Sequence, residues 1–380
     1  MRDTIFFGAG HLIKENKDLN AKFIVDNNPD LIGTHYEGLP IFSPETINQL
    51  SEKYFVIVCA TSISDIKAQL SSMGYEWHKD AKVTESLAES EAVVRIEEHR
   101  HKLLISSGLP STAGSGAQGG IYLVEETNDF PKIDHIYQGN VHGLIMTHEG
   151  GMAFSDQGSG IVELDSDYQI KHTTPLPKGL RPHGFKPYGN DWIVVCSTDD
   201  SLICVTREGN LKFKHRFSSR MDTEGSAQHH ANDVEIIGDF AYVSMFSISG
   251  NWKRGVFDGG VLEVNLTTGA TQPLINTLMM PHSISFFEDN LWILDSFRGQ
   301  ILGPNFQAIG QLPGFVRGLA RVENYLIVGE SKNRNFSRLL PNRSPVSLDS
   351  KLTIIDTQHN CCRSIPLPSA ISEIHSITSA

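Results

Sequence analysis

A mainly β fold, a six-bladed β-propeller preceded by a small N-terminal α/β domain of Rossmann-like type, is what the 380-residue sequence predicts. Three observations carry that prediction. A His or Arg followed by a small or polar residue opens a short apolar run at His142-Gly143-Leu144, His183-Gly184-Phe185, His230-Ala231-Asn232-Asp233-Val234, His282-Ser283-Ile284, Arg317-Gly318-Leu319 and His375-Ser376-Ile377. The copies are spaced roughly 35 to 60 residues apart, a blade-like period. The last copy lies at the C-terminus, while the strand-like runs Lys102 to Ser106, Gly120 to Glu125 and Ile133 to Gln138 have no opening copy of their own. Before residue 80, strands and helices alternate, as in a doubly wound sheet.

Taken in order, the chain begins with a β-branched and aromatic strand, Thr4 to Phe7, followed directly by Gly8-Ala9-Gly10. A second strand, Ala21 to Val25, ends in Asp26-Asn27-Asn28-Pro29, and a helix opens at Ser43-Pro44-Glu45 with serine as cap and proline in the first turn. Tyr54 to Cys59 is an unbroken apolar run, the pattern of a parallel strand covered on both faces, and Ile63 to Met73 is helical up to Gly74. A glycine turn after a first strand aims backbone N–H groups at an anion, and Asp26 stands where an acidic residue meets a ribose hydroxyl. Gly8, Gly10 and Asp26 are therefore the candidate nucleotide-binding residues, although Ile13 stands where a dinucleotide fingerprint has its third glycine. Over residues 1–80 the G-A-G turn, the D-x-x-P strand end and the run Gly38-Leu39-Pro40-Ile41 resemble the Rossmann-like nucleotide-sugar domains of bacterial glycan-modifying enzymes. That resemblance implies a bound nucleotide or nucleotide-linked sugar; the alternative is a domain that only packs or joins copies into a homo-oligomer.

Residues 81–100 contain neither glycine nor proline and read as a helical linker, with Glu85 to Arg100 as the helix and Thr84 as its cap. Residues 101–380 form the ring. Joining the C-terminal strand, Glu373 to Thr378, to the three unopened runs at its start completes a sixth blade and removes an exposed strand edge. In an antiparallel blade the start of the innermost strand and the end of the second lie at the same end. The opening His and Arg residues are therefore expected to share one exposed rim with Asp156, Asp199, Asp295 and Glu330, overhung by three insertions, 107–119, 246–259 and 331–350. Loops of that length are usually functional or disordered.

Imidazoles converging on an axis are good ligands for Zn²⁺, Mn²⁺ or Fe²⁺. His142, His183, His230, His282 and His375 are the candidate metal ligands, and His282, His183, Arg317 and Asp233 the candidate catalytic residues. Trp252 and Arg254 in one overhanging loop, with Asp295, Glu330 and Lys332, are expected to bind substrate. Lys332, Arg334, Arg338 and Arg343 make the last insertion basic, which suits an anionic or sugar-like substrate. Polar residues on a propeller axis also serve simply to hydrogen-bond water, and that reading stays open.

Bulk properties narrow the classes. A net charge of −12 argues against nucleic acid, since neutralising phosphates needs a basic face. No apolar run reaches the roughly 18 residues of a membrane span and the start lacks the features of a signal peptide, so a cytoplasmic location is expected. The five cysteines form no spaced metal motif and read as reduced thiols.

His230-Ala231-Asn232-Asp233-Val234, Met280-Pro281-His282-Ser283, Leu291-Trp292-Ile293-Leu294-Asp295-Ser296 and Pro313-Gly314-Phe315-Val316-Arg317-Gly318-Leu319 resemble, in order, the H-P-N-D-V, M-P-H-S, L-W-x-L-x-S and P-G-F-x-R-G-L motifs of an uncharacterised bacterial six-bladed β-propeller family. The sequence departs from them at Ala231, where the family has proline, and at Glu330, where it has an apolar residue. More distantly the ring is similar to six-bladed lactonase and lyase propellers, which implies a divalent metal on the axis. The expectation is thus a metal-dependent enzyme acting on a sugar or sugar-nucleotide derivative by lyase, isomerase or hydrolase chemistry. A non-catalytic glycan- or protein-binding module is the alternative, and a nicotinamide-dependent oxidoreductase the third.

Overall fold

Short β-branched runs punctuated by glycine and Asp/Asn turns make strands too short to stand alone, so their apolar faces must meet in stacked sheets. A computed structural model, which describes residues 2–110, 116–332 and 346–380, shows how they do so. The chain divides into two compact units, Met1–His99 with Gln358–Cys361, and Arg100–Thr357 with Cys362–Ala380.

In the first unit Thr4–Phe7 is central and runs parallel to both Ile24–Val25 and Phe55–Val58. Leu39–Phe42 adds in parallel beyond Ile24–Val25, and Ala81–Val83 beyond Phe55–Val58. His35–Tyr36 closes one edge in an antiparallel hairpin. Ile5, Phe6, Phe7, Val56 and Val58 are fully buried, which is why these runs show no polar alternation. The α-helix Ile63–Ser72 stops at Gly74, whose φ of 80° only glycine adopts cheaply. Three expectations need correction. The second strand is only Ile24–Val25, the helix opening at Ser43 is a 3₁₀ helix, Pro44–Gln49, with no side-chain cap from Ser43, and the helix over 85–100 is a 3₁₀ turn, Glu85–Leu87, followed by the α-helix Ala88–Glu98. Thr84 caps nothing through its side chain because its hydroxyl lies 3.0 Å from that of Ser86.

Among its described residues the second unit contains six four-stranded antiparallel sheets. The first blade is Val141–Met146, Met152–Asp156, Gly160–Leu164 and Ile170–Thr174; the second is Pro182–Tyr188, Asp191–Cys196, Ser201–Val205 and Leu211–Arg216. The third is Ala231–Ile237, Phe240–Met245, Gly259–Asn265 and Thr271–Leu278; the fourth is His282–Phe287, Asn290–Asp295, Gln300–Leu302 and Ala308–Gln311. The fifth is Phe315–Val322, Tyr325–Ser331, Lys351–Asp356 and Cys361–Pro366. The sixth is split, as the sequence requires: the C-terminal Ser376–Ser379 pairs with Lys102–Ser107 in the register Ile377↔Ile105, and Gly120–Glu125 and Lys132–Gln138 follow. Apolar clusters fill the seams between blades. Leu104, Ile121 and Leu123 of the sixth meet Val141, Leu144 and Phe154 of the first, and Ile193, Val195 and Leu202 of the second meet Val234, Ala241 and Val243 of the third.

Candidate metal centre

The residues that open the blades are aimed by a repeated irregularity. In five inner strands the ladder slips by one residue, between Val141 and Leu144, Pro182 and Phe185, Ala231 and Asp233, His282 and Ser285, and Arg317 and Leu319. A bulge leaves one residue unpaired and turns its side chain out of the ladder direction. Lining up the registers puts His142, His183, Asn232, His282, Arg317 and His375 at one common blade position. This corrects the expectation for the third blade, where the ring position belongs to Asn232 and His230 lies two residues outside it. The available signal was the distance to the paired second strand, because Ala231 faces Met245 as Val141 faces Asp156.

Second-strand hydroxyls hold this ring in register. Ser155 Oγ accepts from the amide of Gly143 at 2.8 Å in its own blade and donates to the carbonyl of His183 in the next. Ser106 does the same, accepting from the amide of Ser376 at 2.9 Å and donating to the carbonyl of His142. Asn232 replaces the pattern with its amide, receiving a hydrogen bond from Ser244 at 2.7 Å and donating to Pro281 at 2.9 Å in the fourth blade. These bridges went unread in the sequence.

His142, His183 and His375 converge, each offering one ring nitrogen with all three nitrogens within 4.8 Å of one another. The Nδ1 atoms of His142 and His375 are 3.3 Å apart. Two nitrogens bonded tetrahedrally to one Zn²⁺ at about 2.05 Å would be separated by about the same distance. All three rings are buried rather than displayed at an exposed mouth, which corrects the expectation of an open rim. Burial and the charges of neighbouring imidazoles and Arg317 hold His142 and His183 far below the ordinary histidine pKa. Both are therefore neutral, the form that ligates metal. His142 Nε2, the nitrogen that would face away from an ion held through Nδ1, is buried with no hydrogen-bond partner among the described residues. Glu373 Oε2 lies 3.2 Å from His375 Nε2 and 3.6 Å from an Arg317 nitrogen, the carboxylate–imidazole arrangement that fixes a ligating ring. The donor set thus fits a divalent ion.

His282 stands beside the trio, its ring 6.4 Å from that of His183 and its Nδ1 placed 3.0 Å from the Met280 carbonyl and 2.9 Å from the Ser296 hydroxyl. His230 is drawn away from the axis against Phe246 and Trp252, with ring separations of 4.2 and 4.9 Å, and burial, with the charges of Arg317 and Lys253, lowers its pKa to about 4. Asp233 lines the same small void as the trio. Burial pushes its carboxyl up to about 7, against the pull of the nearby Lys186 charge. A void of ≈ 10 Å³, enough for one water or one ion, is bounded by His142, His183, His282, His375, Asp233 and Ser283.

The second-strand acids have a different occupation. Asp295 is fully buried, accepting from the Met279 amide at 2.9 Å and paired with Arg298 at 2.8 Å. Glu330 is fully buried as well, accepting from the Gly314 amide at 2.8 Å and the Thr353 hydroxyl at 2.5 Å. Asp156 accepts from the Asn140 amide at 3.1 Å and the Tyr137 hydroxyl at 2.9 Å. In the second blade this post is held by Asp200 rather than the expected Asp199, since it takes the amides of Gln228, His229 and His230. These carboxylates tie down the entry to inner strands.

Among the loop residues, Trp252 is half-buried with its indole donating to the Ala227 carbonyl at 3.2 Å, Arg254 pairs with Glu224 at 2.9 Å, and Lys332 is exposed. Arg334, Arg338 and Arg343 lie outside the described residues. In the first unit Gly8 has φ 102° and lets the turn pass against Ala60. Gly10 precedes a 3₁₀ helix, His11–Leu19, instead of an α-helix, and the Asp26 carboxylate accepts from the amides of Ala9 at 2.5 Å and Asn28 at 2.7 Å. The oxygens expected to meet a ribose are thus already engaged with backbone.

Residues 169–379 match the family model described as "Domain of unknown function (DUF4915)", more than half of the chain. No curated protein matches. Among solved structures, a protein of unknown function from Bacteroides caccae aligns at 14% identity over 73% of this chain and 98% of its own, with a TM-score of 0.51, a likeness of fold. Regucalcin from Agrobacterium tumefaciens, described as a calcium-binding protein, aligns at 13% identity over 60% of this chain and 74% of its own, with a TM-score of 0.43. Virginiamycin B lyase from Staphylococcus aureus aligns at 12% identity over 72% and 91%, also at 0.43.

Proposed function

The chain belongs to the DUF4915 family, and from that starting point and the geometry of the ring we propose that it is a divalent-metal-dependent enzyme acting on a sugar or sugar-nucleotide derivative. The single observation that supports this is the convergence of three buried imidazoles, those of His142, His183 and His375, on one ion-sized void. A bound Zn²⁺, Mn²⁺ or Fe²⁺ supplies Lewis acidity and lowers the pKa of water, chemistry that serves hydrolases, lyases and isomerases alike. Around it Glu373 orients His375, Arg317 offers a cation to an anionic group, and Asp233, with a pKa near 7, is able to hold or release a proton at working pH. The sugar character of the substrate is drawn from the resemblance of the first 80 residues to nucleotide-sugar domains. We read their parallel sheet as Rossmann-like, and the backbone bonds taken by Asp26 favour a packing or assembly role over ribose recognition.

Metal analysis of protein purified without a His tag tests the reading. About one ion per chain is expected, and His183→Ala is expected to lose it while keeping the fold. One observation favours a second reading, a non-catalytic binding module: the 3.3 Å contact between His142 and His375 also suits a shared proton. Absence of metal in the wild type, with ligand binding insensitive to chelators, would decide for that module.

A further inference from the structure

Beyond the histidines the six inner strands continue and enclose an axial channel of ≈ 430 Å³, within the range of small-molecule pockets. Its wall is the run of each inner strand after the ring residue, so it extends away from the end where the inner strands begin. Its floor is Asp233, Ser283 and His375, the same residues that bound the small void beside the trio. At the other end Phe286 is 41% exposed.

The wall chemistry is specific. Ser285, Ser376 and Thr378 contribute hydroxyls, each both donor and acceptor. Lys186 and Glu235 face the channel as a pair 2.7 Å apart, and Arg321 is balanced by Glu288 at 2.7 Å. Each wall cation therefore already has a counter-charge, and a multiply charged phosphate would find none in excess. Hydroxyls and paired charges on an otherwise apolar wall, with the part-exposed Phe286 among the lining residues, match a ring bearing several hydroxyls and apolar C–H faces.

We propose that this axial channel is a binding site for one neutral, polyhydroxylated sugar ring, which packs on Phe286, hydrogen-bonds to Ser285, Ser376, Thr378 and the Lys186–Glu235 pair, and presents one end to Asp233 and His375. The site rests on the metal-centred reading only for what happens at its floor; occupancy of the channel does not require the ion. It narrows the substrate class to a neutral sugar part and moves the point of entry away from Trp252, Arg254 and Lys332.

Calorimetric titration and saturation-transfer NMR of the full chain with a panel of neutral methyl pyranosides, and with glucose 1-phosphate, with and without EDTA, provide the test. At least one neutral pyranoside is expected to bind, more tightly than the phosphate and unchanged by EDTA. Ser285→Trp, which fills the channel, is expected to weaken it more than tenfold. Lys186→Met, a milder change, is expected to weaken it about tenfold and covers the case in which the tryptophan variant does not fold. No binding by any neutral pyranoside, preference for the phosphate, or binding that both variants leave intact would overturn the site. Metal content measured on the same samples keeps the two ideas apart: pyranoside binding in metal-free wild type sinks the metal centre and keeps the channel, whereas bound metal without pyranoside binding does the reverse.

Discussion

His142, His183 and His375 owe their meeting to backbone geometry more than to residue type, because His230 belongs to the same sequence pattern and lies two residues outside the ring position, against Phe246 and Trp252. One close neighbour without a side chain decides how tightly the trio is held. Gly108 lies so close that a Cβ there would stand 2.6 Å from His375 Nε2 and 3.1 Å from Glu373 Oε2. Gly108→Ala is therefore expected to displace the His375–Glu373 pair and to weaken metal binding by tenfold or more, the range seen when ligand-orienting partners are lost. Metal titration of the folded variant checks this; unchanged affinity would mean that the pair does not position the ion. At this scale the sequence marks which residues carry chemistry but not which way they face. Asp295 and Glu330 look like substrate contacts until the structure shows their oxygens on the amides of Met279 and Gly314.

The inner strand with its bulge is the element that makes the ring. Its extra residue breaks the ladder just where the ring residue sits, and in the first blade the second-strand Ser155 takes up the freed amide. Ser155 is fully buried, and Ser155→Ala would leave the Gly143 amide and the His183 carbonyl without that partner. Stranding buried polar groups costs about 1–3 kcal/mol, so thermal unfolding should fall by a few degrees, on the order of 2–4 °C per kcal/mol for a unit of this size. Metal affinity should drop with it, because the His183 backbone is no longer pinned. A midpoint within error of wild type would show that water replaces the hydroxyl. The strands themselves were legible from alternation and glycine turns. The bulges were not, since a one-residue slip leaves the apolar pattern of Leu144 or Phe185 intact and shows only in pairing.

The whole ring carries an acid sensitivity set by burial. His142, His183 and His282 have pKa values well below the ordinary 6.5, and His230 one of about 4, so the unfolded chain binds protons that the folded one refuses. Their contribution to stability is present above pH 6.5 and is lost as pH falls toward the folded values. Asp233 acts oppositely: its folded value of about 7 exceeds the ordinary 3.8, so its burial costs stability above that range and the cost shrinks on acidification. His215 and His229 are lowered by burial as well and Asp295 is raised by it, so six histidines against two acids predict a net loss for metal-free protein. Its unfolding midpoint should be lower at pH 5 than at pH 7.5, and a midpoint that rises instead would show that the imidazoles are protonated in the fold.

Repetition of a His- or Arg-headed strand, with its last copy displaced to the C-terminus, was sufficient by itself to determine six blades and their closure through Ile377 and Ile105. Periodicity survives in one dimension, because each blade buries its faces against neighbours of the same kind. Only the tertiary structure decided that Asn232 rather than His230 completes the ring, that the imidazoles are buried, and that a channel lies behind them along the inner strands. Those facts depend on register and on the distance between strands far apart in sequence, and neither quantity is written in the order of the residues.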